Sequence, residues 1–274
     1  MRNRNRGLVK KTLNIIIIGT GNVSWHIANS ISSIKNVKLL QAFNHKTSKV
    51  TTAYTKKFNC EVVTNYQQIN THADIYIIAV KDDALESVVK HLVPLKLKGI
   101  VAHTSGSIDL SALNGVSQHT GVYYPLQTFY PNASIDWTST PLLLEANSKT
   151  ALAKLKVVAN QVSKKVKVVD SENRLRLHLA AVFACNFTNA LYVSAFDLIE
   201  KHIGSKDTNL LASIMLQSFQ KLERVHPKQA QTGPAVRNDQ RVIKKHLALL
   251  KSDKELTAVY KLLSGLIIHQ QKTN

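Results

Sequence analysis

No aspartate or glutamate occurs before Glu61, and the 274-residue chain holds 17 acidic residues against 36 lysines and arginines. Cysteine is almost as scarce. Cys60 and Cys185 have neither ligand-type nor redox-type spacing; this excludes a disulfide-stapled secreted domain and a cysteine metal site, and it suits a reducing cytoplasm. No apolar run approaches the ~20 residues needed to span a bilayer, so no membrane is expected as a partner. The start "MRNRNRGLVKK", followed by "LNIIII", imitates a signal peptide. Its apolar stretch breaks at Gly-Thr-Gly-Asn, however, short of the ~7–15 residues of such a segment, and residues 1–11 read as a basic tail. The net charge of +19 comes with neither zinc-finger spacing nor the aromatic-basic pattern of an RNA-binding sheet. Anionic small molecules are therefore favoured over nucleic acid as partners, and no metal is expected.

Residues 12–170 alternate short β-type runs with helical patterns. Strands are expected at about 13–18, 37–43, 60–63, 74–80, 99–103, 120–124, 140–145 and 165–169, with helices over 22–34, 47–58, 82–92 and 149–163. Runs such as "IIII" and "IYIIAV" are apolar on both faces, which indicates a mostly parallel sheet covered by helices. From residue 171 the strand signals stop. "SENRLRLHLAAVFACNFTNALYVSAFDLIEKHI" runs about thirty residues without Gly or Pro, enough for a helix of roughly 45 Å. Further helices are expected near 206–224, 238–250 and 253–270. The expected architecture is a doubly wound α/β domain over 12–170 followed by an all-α domain over 171–274.

Between the first strand and helix lies "GTGNVSWHIA". Gly19 permits a tight turn, Gly21 lets the backbone approach a pyrophosphate, and the helix start around Thr20, Asn22 and Val23 supplies free N–H groups. The third glycine of the dinucleotide fingerprint is replaced by Ser24, a position that serves helix–strand packing. Enzymes selective for NAD place a carboxylate about 20 residues beyond these glycines. Here Asn44, His45, Lys46, Thr47 and Ser48 stand instead, and a cation with hydroxyls suits a 2′-phosphate, so NADP is favoured over NAD.

Ligands gather beyond the carboxyl ends of such strands. "IYIIAVKDDAL" puts Val80 and Lys81 at one end, with Asp82 or Asp83 read as a helix cap. "IVAHTSGSIDL" puts His103, Thr104, Ser105, Gly106 and Ser107 at another, a cluster of donors suited to stabilising or protonating charge during hydride addition. On the long helix, His178, Val182 and Asn186 stand four apart and Asn189 three beyond, which projects them from one face as a buried polar row. In "QTGPAVRNDQRVIKKHLALL", Gly233-Pro234 forces a turn, Asn238 or Asp239 can cap a helix, and Arg237 is an anion clamp or a structural tie.

Together "GTGNVSWHIA", "IIAVKDDAL", "AHTSGSIDL", "GVYYPLQTF", "RLHLAAVFACNFTNALY" and "AQTGPAVRNDQRVIKKHLALL" resemble a bacterial family that joins a Rossmann-like domain to a helical domain of unknown function. Its members are described as candidate NADP oxidoreductases related to deazaflavin-coenzyme-dependent reductases. The resemblance spans about residues 12 to 269. It implies kinship with the β-hydroxyacid dehydrogenase and pyrroline-carboxylate reductase superfamily, a homodimer through the helical domain, and a substrate held between the domains. It further implies NADP as cofactor ahead of a deazaflavin coenzyme. Where hydroxyacid dehydrogenases place a lysine four residues before the helix asparagine, this chain has Val182, so either His178 or His103 takes the acid–base role, with Ser105 and Asn186 as further catalytic candidates, or the chemistry differs. Asn189 and Arg237 are the expected substrate contacts. A non-catalytic NADP-binding or sensing protein is the alternative expectation.

Overall fold

A computed structural model of the chain describes residues 12–204 and 209–272. The basic tail and the first residues of the helix expected near 206 lie outside them. The chain divides into two compact units, Met1–Cys185 and Asn186–Asn274.

The first unit is built on an eight-stranded sheet. Its strands are β1 (Leu13–Ile18), β2 (Val37–Phe43), β3 (Glu61–Val63), β4 (Ile75–Ile78), β5 (Ile100–His103), β6 (Thr120–Pro125), β7 (Leu142–Ala146) and β8 (Val166–Val168). They lie in the order β3-β2-β1-β4-β5-β6-β7-β8. All pairs are parallel except β6 with β7. The chain leaves β1 in opposite directions toward β2 and β4, which opens a crevice at the carboxyl ends of those strands.

Four helices cover this sheet: α1 (Asn22–Ser32), α2 (Lys49–Phe58), α3 (Asp82–Leu92) and α4 (Lys149–Val162). Side chains alternate along β1. Ile15 and Ile17 pack toward α1, α2 and α4, while Ile16 and Ile18 pack toward α3. All four isoleucines are fully buried, each contributing roughly 1.5–3 kcal/mol of apolar burial. A strand with both faces covered must read as an unbroken apolar run, and this one does.

The long helix begins as α5 (Ser171–Ala181), capped by Asp170, whose carboxylate accepts the Asn173 N–H at 2.8 Å. It continues through a π-helical turn, Val182–Phe187, into α6 (Thr188–His202). By length and composition Ser171–His202 is apolar enough to cross a bilayer, which corrects the expectation that no stretch qualifies. His178, Asn186, Thr188 and Asn189 interrupt the run of apolar letters without adding fixed charge, so counting consecutive apolar residues misses it.

The second unit contains α6, α7 (Ala212–Leu222), the short α8 (Pro227–Ala230), α9 (Gln240–Leu249) and α10 (Lys254–Lys272). Asp239, rather than Asn238, caps α9, accepting the Val242 N–H at 3.1 Å. Among its described apolar side chains, only Ile199, Ala235, Ile243 and Leu250 are buried.

Candidate cofactor cleft and proton-donor cluster

Gly19 adopts φ +102°, and an added Cβ would lie 2.3 Å from the Ala79 carbonyl oxygen. Only glycine fits there. Gly21 is different: its Cβ direction meets nothing within 4 Å, and it caps α1 without a side chain. The space above the turn is therefore open to a ligand, and the first amides of α1, from Asn22 and Val23, lie at a helix start with positive dipole. Ser24 is fully buried, with its hydroxyl donating to the Gly19 carbonyl at 2.5 Å and bonded to the Tyr54 phenol. The replacement thus ties α1 back to the turn and across to α2.

A cleft of about 630 Å³ opens beside this turn, lined by Gly19, Thr20, Gly21, Asn44, His45, Val80 and Lys81. Phe43, Tyr66 and His91 add an aromatic wall, with Tyr66 stacked on His91 at 4.7 Å. No periodicity in the sequence marks that wall, because Tyr66 and His91 belong to a short 3-10 turn and to α3. His45, Lys46 and Thr47 are exposed beyond β2, and the Asn44 amide donates to the Lys46 carbonyl at 2.8 Å. Ser48 is committed to capping α2, in a reciprocal box with Thr51. A dinucleotide with a 2′-phosphate fits these residues: an open glycine turn faces its pyrophosphate, and a cation without a competing carboxylate ends β2.

The second cluster lies beyond β5 and β6. His103 is 1% exposed; its Nδ1 accepts the Ser105 N–H at 3.1 Å, and its Nε2 is buried with no partner. Burial, reinforced by the nearby Arg174 charge, pushes its pKa down to about 4. The ring is therefore neutral near pH 7. The Ser105 hydroxyl accepts the N–H groups of Ser107 and Ile108, each at 3.1 Å. Asp82 does not cap α3. Lys81 holds that position without a side-chain bond, and the Asp82 carboxylate instead accepts the Ser107 hydroxyl at 2.5 Å.

His178 comes into this cluster from α5. Its Nδ1 lies 3.1 Å from the Tyr124 phenol oxygen. Burial raises the Tyr124 pKa to about 12, with Arg174 pulling against it and Asp82 adding to it. Arg174 is 1% exposed and ion-paired with Glu145 of β7. It also donates to the Ile108 carbonyl at 2.5 Å and to the Ser171 hydroxyl at 3.0 Å. This clamp fastens the 105–110 loop to the start of α5. Nothing in the sequence separates Arg174 from Arg176, which lies exposed and pairs with Glu172 one turn back.

The row on the long helix is not continuous. The π turn Val182–Phe187, which closes bonds to the fifth residue rather than the fourth, interrupts the α-helical spacing on which that row was read. His178 is half-buried, while Asn186, Asn189 and Arg237 are exposed. The last three belong to the second unit.

An open glycine turn at the switch point of a doubly wound sheet defines a dinucleotide-binding α/β protein. Residues 1–128 match the Rossmann-like domain, and residues 140–267 match a domain of unknown function, DUF2520. The chain is 34% identical to a Bacteroides fragilis protein described as a candidate NADP oxidoreductase. That match covers 94% of this chain and 98% of that one, with a TM-score of 0.87. The chain belongs to this family of Rossmann-like proteins with a DUF2520 domain. Two more distant structures share the fold. Plasmodium falciparum pyrroline carboxylate reductase with NADP bound is 12% identical, covering 95% of this chain and 99% of that one at a TM-score of 0.60. The Myxococcus stipitatus imine reductase in complex with NADP+ is 15% identical, covering 95% of each chain at 0.62. A search of curated proteins found no match.

Proposed function

We propose that this protein is an NADP-dependent oxidoreductase that moves a hydride between the nicotinamide and a carbonyl or imine carbon of a small metabolite. The observation carrying this reading is the open Gly19–Gly21 turn in one cleft with Asn44 and His45, followed by Lys46 and Thr47 where a ribose-binding carboxylate would exclude a 2′-phosphate. Two same-fold proteins are named as NADP complexes, and both are named as reductases. The net charge of +19 favours an anionic metabolite. His178, Asn186, Asn189 and Arg237 are the residues of the long helix and the α9 turn assigned to that metabolite. His103 and Ser105 shape the loop instead, because one is buried and neutral and the other is engaged by backbone N–H groups. Two free thiols, Cys60 and Cys185, fit a reducing cytoplasm.

The bound cofactor would supply the hydride. The protein's own part is to hold the pyrophosphate on α1, receive the 2′-phosphate beside Lys46, and provide a proton from the cluster beyond β5 and β6.

A second copy of the chain is the assigned partner. The helical region exposes Leu179, Ile214, Leu216 and Leu262, among others, each more than half exposed, and faces of this kind are covered in the working protein. Val182, at the lysine position of hydroxyacid dehydrogenases, favours one other reading, a non-catalytic NADP sensor. Following NADPH absorbance against a panel of small keto acids and cyclic imines separates the two. Turnover that falls at least ~100-fold in His178→Ala supports the enzyme, and tight NADPH binding without turnover of any panel member supports the sensor.

A further inference from the structure

We infer that Tyr124 is the proton donor of this site and that His178, bonded to it, resupplies the proton. The inference rests on the NADP reading above and adds to it a residue and a route.

In the 103–108 loop beyond β5, the other hydroxyls and the His103 ring are poorly placed to give up a proton, and the Thr104 hydroxyl donates to the Ile78 carbonyl at 3.3 Å. His103 is neutral and walled off, the Ser107 proton goes to Asp82, and the Ser105 hydroxyl accepts two backbone N–H groups with Ser107 Oγ, at 3.3 Å, left as the acceptor of its own proton. The Tyr124 phenol instead faces a second titratable group, His178 Nδ1, at 3.1 Å in an edge-on contact. Gly106 makes this arrangement fit. A Cβ there would lie 2.7 Å from Tyr124 Cζ and 2.8 Å from His178 Nδ1, so the loop backbone presses directly on the pair. The pair also joins the cleft wall through short links. Lys81 lines the cleft, Asp82 follows it and holds Ser107, and Ser107 follows Gly106.

Burial keeps the phenol protonated at neutral pH. The charges around the pair are Asp82 of α3 and Arg174 of α5, whose effects on the phenol oppose each other, and Glu145 of β7 largely neutralises Arg174. In the forward step the Tyr124 Oη–H bond breaks, and its proton goes to the substrate nitrogen or oxygen. The phenolate is then reprotonated through His178, whose free Nδ1 takes a proton from water, leaving hydroxide, and passes it to the phenolate oxygen. The reduced dinucleotide, when bound, supplies the hydride that completes addition across the double bond.

The test uses the full chain labelled with 13C-histidine, the His178 resonance being assigned by its loss in His178→Gln. Calorimetry first establishes that NADPH and NADP+ bind, and His178 is then titrated in each complex. The oxidised nicotinamide carries a positive charge that the reduced one lacks, so a nearby His178 should titrate about one pH unit lower with NADP+. In Tyr124→Phe both nucleotides should still bind, while the neutral ring loses its preference for the Nε2–H tautomer that a donating phenol imposes. Equal midpoints in the two complexes, or an unchanged tautomer in Tyr124→Phe, overturn the inference while leaving the NADP reading standing. Failure of both nucleotides to bind overturns the NADP reading and this inference with it.

Discussion

At Gly19 an added methyl group would collide with the Ala79 carbonyl at an unfavourable φ, whereas at Gly21 it would meet only open space. The two glycines therefore respond differently to the same change. Gly19→Ala should destabilise the fold by about 2–5 kcal/mol, from backbone strain and overpacking. Gly21→Ala should change stability by less than about 1 kcal/mol, a capping effect, yet weaken NADPH at least about tenfold, or ~1.4 kcal/mol. Denaturant melts and a fluorescence titration of both variants check this, and a Gly21→Ala protein that binds normally would contradict it. His103 makes a prediction of the opposite kind, about stability rather than binding. An unfolded histidine titrates near 6.5 and this folded one at about 4, so between those values the unfolded chain binds more protons. Stability then falls as pH drops through that window, by up to about 3 kcal/mol. His103→Gln should lose correspondingly less between pH 7 and pH 4, and parallel losses in the two proteins would refute the buried neutral ring.

The start of α5 is held by one buried ion pair, Arg174 with Glu145, supplemented by Ser171 and the Ile108 carbonyl. Arg174→Met would leave Glu145 without its cation and should cost about 3–5 kcal/mol, measured by chemical denaturation; a loss below 1 kcal/mol would mean the clamp is ornamental. That clamp was not legible in the sequence, because "RLRLHL" offers two arginines and only the sheet behind the helix selects one. The strands were legible for the converse reason. β1, β4 and β5 are covered on both faces, and continuous apolar runs have no other use in a short segment. Helices α2 and α4 begin at Lys49 and Lys149, close to the expected 47 and 149, and the Ser48 and Ser148 hydroxyls that cap them explain where they start. The π turn escaped notice, since its residues have ordinary helix preferences and the extra residue shows only in the hydrogen bonds. Tyr124 was equally hidden: a tyrosine in a buried strand reads as core, as its neighbour Tyr123 in fact is.

Taken as a whole, the molecule pairs a sheet unit whose core is complete with a helical unit in which few described apolar side chains are buried. A helical unit so arranged is expected to associate with a copy of itself. Sedimentation should find a dimer, and Leu216→Glu together with Phe219→Glu should shift it toward monomer; a monomeric wild-type chain in detergent-free buffer would contradict that assignment. The strong basic charge and the absence of any carboxylate before Glu61 act at this scale too, since both bias the cleft toward the more highly charged dinucleotide. The most direct test is a calorimetric titration of the full chain with NADPH and with NADH, repeated in Lys46→Glu. NADPH should bind at least about tenfold more tightly than NADH, a difference of ~1.4 kcal/mol, and Lys46→Glu should erase that preference. Equal affinities in the wild-type chain, or no binding of either nucleotide, would contradict the assignment of this cleft to NADP.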